Sequence, residues 1–546
     1  MAPSVIIIGA GPSGIAMAHQ LQSAGVKHFT IYEASDGAGG VWHLTKYPQL
    51  SVDIHSCLYS FSFNQSANWT QELAQQSELE RYMEDTVDKL GLRPHIQFQV
   101  FCHGAAWDER NKKWRVKLQD CKTKETFERE ADVFVSCVGA ISVPKDCAIP
   151  GYETFTGTMW HSARWNHEFD VKGKRVAVIG NGCSAAQFVP ALVNAGAQVK
   201  QYARSPQWYH ERPNHQYSKI ERLAFKTIPG LMRLYRLYLF LNTDKLLTTY
   251  LNDDNAQKVR AQAEIDSRRY MEANAPAKYH KQLLPTFPLG CKRRIFDPGY
   301  LACLHSPNIE LLSEGIDHIE GATVVSASGR RDDYDAIVLA TGYKVQEFLT
   351  PLSIVGENGM SLSQHWKETR GAQAYHGTFV SGFPNFAIIF GPNSFPAHNS
   401  VIFTAEVQCE FTRKALIEPL IFGKAETVNV KQAAEDRNAQ SVQIGLKGTV
   451  WEAGCANWYL NEWGRNTASY PGYASSYWFE TFFPNSQDFE YRNKSLFWPI
   501  RAVVYRIRRH KKLLLAVLAA ALLRRQPGLI SEAVTYLWRS AQTILT

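Results

Sequence analysis

The chain opens on a strand-like run, Val5-Ile-Ile-Ile, that breaks into Gly9-Ala-Gly11-Pro-Ser-Gly14 and continues as a helix-like run to Leu21. Strand, glycine turn and helix in this order constrain the fold more than any other feature. Gly9 permits the tight turn, Gly11 lets backbone approach a pyrophosphate, and Gly14 lets the helix pack closely on the strand. The helix N-terminus then turns its partial positive charge toward the phosphates. The next strand-like run ends in Glu33, an acid placed to bind ribose hydroxyls.

The pattern recurs at Val176-Ala-Val-Ile-Gly180-Asn-Gly182-Cys-Ser184-Ala185, with Ala185 at the third glycine position. A helix-like run and a strand over 199–202 follow, and then Arg204 and Ser205. Glu33 lies 24 residues after Gly9, and Arg204 lies 24 residues after Gly180. One structural position therefore carries an acid in the first copy and a base in the second. An acid suits free ribose hydroxyls; an arginine suits a 2′-phosphate. The first copy is assigned FAD or NAD and the second NADPH, with Ser184, Ala185 and Ser205 as further contacts. The competing reading of Arg204 is a solvated surface arginine.

A third signal is the strand-like run 334–339, which leads into Ala340-Thr341-Gly342. A short strand before a glycine turn is expected to return the chain to the first sheet, with Thr341 and Gly342 beside the flavin nucleotide. The expected fold is α/β, with two Rossmann-like dinucleotide-binding domains and the NADPH domain inserted in a discontinuous FAD domain. The boundaries are 1–150 for the first FAD part, 151–332 for the NADPH domain, 333–500 for the FAD return and 501–546 for a helical tail. Within the NADPH domain, about 206–289 reads as a helical insertion, either a lid over the substrate or an added packing layer.

Nine of the 59 basic residues and one of the 51 acidic residues lie in 501–546, which leaves fifty of each in the body. A neutral body excludes a polyanion-binding surface there, so no nucleic-acid partner is expected. The ten cysteines form no CxxC or CxxxxC pair. No disulfide framework, zinc site or dithiol redox centre is expected, and a reducing, cytoplasmic compartment fits. Strand-like sequence begins at Val5, so no removable leader is expected. In the tail, residues 513–523 are eleven apolar residues between basic clusters. As a helix they measure about 16 Å, roughly half the hydrocarbon core. A peripheral contact with an anionic membrane, packing on the body, and packing on a second subunit all remain open. The oligomeric state is not readable.

Two further stretches carry a family resemblance. Phe155-Thr-Gly157-Thr-Met-Trp-His161-Ser-Ala-Arg-Trp165-Asn166 matches F-x-G-x-x-x-H-[T/S]-x-x-W-[P/D] except at Asn166. Gly39-Gly40-Val41-Trp42-His-Leu-Thr-Lys-Tyr47-Pro48-Gln49-Leu-Ser51-Val-Asp53 matches [A/G]-G-x-W-x-x-x-x-[F/Y]-P-[G/M]-x-x-x-D except at Gln49. Over residues 5 to about 490 the chain resembles the class B flavoprotein monooxygenases, and within them the Baeyer–Villiger monooxygenases, of the fungal biosynthetic type. Trp165 is the Baeyer–Villiger choice at its position.

The resemblance implies that Gly40, Val41, Trp42 and Tyr59 contact FAD and that Asp53 is the active-site acid. In Gly290-Cys-Lys292-Arg293-Arg294 it implies that Lys292 faces NADPH and that Arg293 lies over the flavin, with Arg294 one residue away in register. Ser51 stands where the family often has arginine. The implied chemistry is NADPH reduction of FAD, reaction with molecular oxygen to a peroxyflavin, and attack on a bulky apolar ketone to give an ester or lactone in secondary metabolism. Arginine is suited to such a site because it keeps its charge when desolvated. The alternative is oxygenation of nitrogen or sulfur on the same fold. A disulfide-type flavin reductase lacks its cysteine pair here, and a non-catalytic binding module would not need two intact nucleotide turns.

Overall fold

The computed structural model describes residues 2–455, 457–493, 495, 497, 500, 503 and 504. Residues 505–546, on which most of the tail reading falls, lie outside the described residues.

Val5–Ile8 is buried along its whole length, as a strand covered on both faces must be. It forms the centre of a five-stranded parallel sheet in the order Phe386–Ile388, Val133–Ser136, Val5–Ile8, Phe29–Glu33, Ile96–Phe98. The helix Pro12–Ser23 follows the glycine turn, with proline at its first position where no backbone donor is needed. The second parallel sheet has the order Ile309–Leu312, Gln198–Tyr202, Arg175–Ile179, Ala336–Leu339, Thr158–His161. Its helix Cys183–Asn194 follows the second turn. The two strand–turn–helix–strand units thus repeat in structure as they do in sequence.

One strand lies elsewhere than expected. Ala336–Leu339 pairs with Thr158–His161 and with Arg175–Ile179, so it completes the second sheet. The chain rejoins the first sheet only at Phe386–Ile388, in register with Phe134 to Ser136. A buried parallel strand carries no local mark of the sheet it enters, because its partners come from distant sequence. After it, the chain crosses back along residues 143–145: Lys145 N donates to Gly342 O at 2.9 Å, and Lys344 N to Val143 O at 2.9 Å.

A four-stranded sheet, Ser353–Val355, Val100–Asp108, Lys113–Asp120 and Thr126–Ala131, backs the first sheet. Trp114 at its core is fully buried and satisfies its indole N–H on Pro384 O at 2.8 Å.

The helical insertion begins at Lys219–Thr227, where Ser218 and Glu221 form a reciprocal capping box. Gly230, at φ 82°, turns the chain into Leu231–Asp244, and Asp253 caps Asp254–Asn274. Arg236 anchors the insertion to the first domain by donating to Cys57 O at 2.8 Å, Leu58 O at 3.0 Å and Ser60 Oγ at 3.1 Å.

The expectation of no disulfide is corrected. Cys291 and Cys455 are bridged, with Cα atoms 6.3 Å apart and a sequence separation of 164. Motif spacing is blind to a pair brought together by tertiary packing. The other eight cysteines are free.

Candidate active site

Each sheet ends in a turn whose glycines are sterically required. Gly9 has φ 104°, and a Cβ there would stand 2.6 Å from Cys137 O. Gly180 has φ 113°, and its Cβ would stand 2.5 Å from Ala340 O. Gly14 leaves no room for a side chain because Gly9 O lies against it. Gly11 meets the second loop backbone to backbone: a Cβ on Gly40 would stand 3.0 Å from Gly11 Cα. Glu33 is buried and accepts from Ala10 N at 2.7 Å and from Ser35 N and Oγ at 2.8 Å each. The acid therefore holds the glycine turn while bordering the cleft.

That cleft is a cavity of ≈ 300 Å³ lined by Gly9, Gly11, Glu33, Gly40, Val41 and Ile141, among others. A second cavity of ≈ 260 Å³ shares Val41, Thr45 and Ile141 with it and reaches Trp42, Asp53, Tyr59, Ser184 and Arg293. A long ligand with a phosphate middle and a flat aromatic end fits this shape: glycines where backbone must approach, apolar walls further on. Thr341 and Gly342 line neither cavity, whereas the adjacent Tyr343 lines the second.

The second nucleotide site gathers distant residues. Lys292 Nζ donates to Ser205 Oγ at 2.7 Å, and Asn181 Nδ2 donates to Ser205 O at 2.8 Å. Burial, then the nearby Arg204 charge, pulls the Lys292 ammonium below its ordinary pKa. Two cations near enough to feel one another favour an anion beside them, and a 2′-phosphate would be such an anion. Gly182 has open space beside it, as close approach of a pyrophosphate requires.

Arg293 and Asp53 meet in the wall of the second cavity. Arg293 Nε donates to Asp53 Oδ2 at 2.9 Å and its terminal nitrogen to the same oxygen at 2.5 Å. Burial opposes the guanidinium charge, but Asp53 and the neighbouring groups outweigh it and hold the Arg293 pKa well above normal. Arg293 is a fixed cation. The guanidinium also lies over the Phe395 ring, 5.7 Å from its centre. Trp42 Nε1 donates to Tyr59 OH at 3.2 Å, and burial, against that hydrogen bond, pushes the Tyr59 phenol up to about 12. Tyr59 stays neutral at working pH. Of the two adjacent arginines, Arg293 is the one that pairs with Asp53 among the described residues.

The fingerprint residues His161 and Trp165 do not line the cavities. His161 Nδ1 accepts from Ala163 N at 3.0 Å. Trp165 packs on Phe188 (5.1 Å between ring centres) and on Tyr47 (6.5 Å), which joins the linker to both nucleotide domains. The two departures from the family pattern are local. Asn166 Oδ1 accepts from Glu168 N at 3.0 Å in a turn of its own, and Gln49 takes φ 64°, a conformation that favours glycine.

Some site residues escaped sequence reasoning. Gln187, two residues past the second glycine motif, accepts from Tyr47 OH at 3.0 Å and donates to Ser51 O at 3.0 Å. Arg212 donates to Ser51 Oγ at 3.0 Å, and Phe395 lines the second cavity. Gln187 could have been found by following the glycine helix two residues further; Arg212 gave no signal.

An enzyme working with one dinucleotide needs one such turn; two turns, one bordering each of two adjoining cavities, define a two-dinucleotide oxidoreductase. A Baeyer-Villiger monooxygenase of Streptomyces coelicolor is 32% identical over 478 residues, covering 87% of this chain and 90% of that protein. The chain belongs to the Baeyer–Villiger monooxygenases, flavin- and NADPH-dependent enzymes. The FAD-binding monooxygenase ktnD of Aspergillus niger is 34% identical over 480 residues, covering 86% of this chain and 78% of that protein. A family model described as pyridine nucleotide-disulphide oxidoreductase matches residues 6–223. Among solved structures, an oxidized steroid monooxygenase bound to NADP superposes with a TM-score of 0.77 at 25% identity, covering 90% of this chain and all of the other.

Proposed function

We propose that this chain binds FAD in the first cleft and NADPH at the second turn, and inserts one atom of molecular oxygen into a bulky apolar ketone to give an ester or lactone. The observation that carries this reading is the Arg293–Asp53 pair, fixed in the wall of the second cavity, which adjoins the first cleft at Val41, Thr45 and Ile141. When bound, the flavin supplies the electrons that activate oxygen.

The chain's own residues do the rest. Arg293 stabilises negative charge that develops on oxygen beside it, and it does so in a half-buried setting where a cation counts for more than in water. Asp53 orients Arg293 through two hydrogen bonds and balances its charge. Trp42, Tyr59 and Phe395 exclude water from that corner, which protects a reactive oxygen species from hydrolysis. Arg204, Ser205 and Lys292 select the phosphorylated nicotinamide dinucleotide. The aromatic helical insertion supports a bulky apolar substrate, and with it a place in secondary metabolism.

The test is anaerobic reduction by NADPH followed by oxygen, with ketones and thioethers offered in parallel. Ester formation from ketones is expected; thioether oxidation without ester formation would move the enzyme to heteroatom chemistry. Arg204→Ala is expected to raise the KM for NADPH about 10- to 100-fold while leaving the KM for NADH within about twofold, since only the former carries the 2′-phosphate. Steady-state kinetics with both nucleotides checks this.

No helix among the described residues is long and apolar enough to cross a membrane. The basic collars of residues 501–546 support a peripheral contact with an anionic membrane surface. Truncation after residue 500 is then expected to empty the membrane fraction on cell fractionation. An unchanged distribution would assign the tail to packing on the body or on another subunit.

A further inference from the structure

The two cavities beside Arg293 carry more positive charge than the chemistry above uses. Arg212, Arg293 and Arg294 all line the larger cavity, and Asp53 is its single carboxylate. Both short contacts of Asp53 go to Arg293. Arg212 is held by neutral oxygens, Ser51 Oγ at 3.0 Å and Leu73 O at 3.4 Å. Arg294 lies over the Tyr250 ring at 5.7 Å and forms no ion pair among the described residues. Its charge is felt nearby: burial, and then Arg294, holds the imidazole of His210 down at about 3.

A guanidinium does not shed its proton when desolvated, so this surplus is not relieved by titration. A half-buried cation without a counter-charge costs free energy that an incoming anion restores. Beyond Arg293 the surface opens into a smaller cavity of ≈ 70 Å³, which Arg294 and Asp53 share with the larger one. Its walls are Leu73, Pro213, Leu246 and Tyr250, together with His55 and His398. Neither glycine turn borders it, and Arg204, Ser205 and Lys292 are not among its walls. The phosphates of the two dinucleotides are therefore already provided for elsewhere. A pocket of this size takes a small terminal group and not the body of a ligand.

We propose that Arg294 and this smaller cavity form an anion subsite for the substrate, so that the preferred ketone carries a carboxylate or an equally acidic oxygen away from the reacting carbonyl. This rests on the ketone reading above. The apolar walls of the larger cavity hold the carbon skeleton, and Arg294 fixes the far end. An ion pair made there positions the carbonyl against Arg293 without touching the reacting atoms. Arg294 is a positioning and specificity residue.

The other source of the anion is a phosphate of NADPH, and the experiment separates the two. FAD-loaded enzyme with NADP⁺ is titrated with benzoate and with benzamide, followed by the flavin difference spectrum. Wild type is expected to bind benzoate about 30-fold more tightly than benzamide, the size of a charge-assisted pair. Arg294→Gln is expected to erase that preference and Arg294→Lys to restore part of it, with FAD content reporting folding of each variant. In turnover, the ratio of kcat/KM for 5-oxohexanoate to that for its methyl ester is expected to fall by a similar factor in Arg294→Gln. An unchanged benzoate preference in Arg294→Gln overturns the subsite, and so does a loss of NADPH affinity with benzoate binding intact. If thioethers and not ketones are oxygenated, the ketone reading fails, while the benzoate titration still decides the subsite on its own.

Discussion

Arg293→Ala is expected to lower ester formation about 10²- to 10³-fold while NADPH still reduces the flavin. Among the described residues the guanidinium is the one cation hydrogen-bonded to Asp53 in the wall of the second cavity, and its charge is locked by that carboxylate against the pull of burial. Alanine removes the stabilising charge and leaves Asp53 facing the reacting oxygen, which repels the developing anion. Reduction depends on the nucleotide sites, whose residues the change does not touch. NADPH consumption should therefore continue with hydrogen peroxide released in place of ester. Arg293→Lys should recover only a small part, because an ammonium cannot repeat the Nε and terminal-nitrogen contacts to one carboxylate oxygen. Ester quantified by chromatography beside peroxide release decides the matter. Undiminished ester from Arg293→Ala would remove Arg293 from the site.

Gly9→Ala is expected to yield a protein without bound flavin. Two costs add. A non-glycine residue at φ 104° leaves the allowed regions, and the new Cβ would stand 2.6 Å from Cys137 O in the neighbouring strand connection. Backbone strain of about 1–3 kcal/mol and overpacking of about 1–3 kcal/mol make up to several kcal/mol, or two or more decades in FAD affinity. The turn also holds Ala10 N against Glu33, so a shift there moves a residue that lines the cleft. Flavin absorbance after gel filtration, with circular dichroism for folding, is the measurement. Gly180→Ala carries the matching geometry at the second turn, φ 113° and Ala340 O at 2.5 Å, and should cost NADPH affinity with flavin retained. Full flavin occupancy in Gly9→Ala would mean that the turn does not cradle the cofactor.

The disulfide between Cys291 and Cys455 lies directly beside this machinery, since Cys291 immediately precedes Lys292 and Arg293. It ties the segment carrying both cations to the loop ahead of Trp458, itself a wall of the larger cavity. The segment carrying Lys292 and Arg293 is thus anchored covalently as well as by the ion pair.

Local sequence determined a great deal. The two glycine turns, the equal distances to Glu33 and Arg204, and the helices after each turn are properties of short windows, where backbone conformation is dictated by neighbours in the chain. Candidate roles for Trp42 and Asp53 also came from one unbroken stretch. What depended on partners far along the chain needed the tertiary structure. Ala336–Leu339 reads as a buried parallel strand in any sheet, and only its pairing with Thr158–His161 and Arg175–Ile179 assigns it to the second. Arg293 and Arg294 are equivalent as letters, and Asp53, 240 residues away, distinguishes them. Cys291 and Cys455 show no spacing signature, and Arg212 joins the cavity through contacts to Ser51 and Leu73. Chain connectivity fixed which turns and helices form; long-range packing decided which charges face one another, because Coulomb energy and hydrogen bonding depend on distance in space and not in sequence.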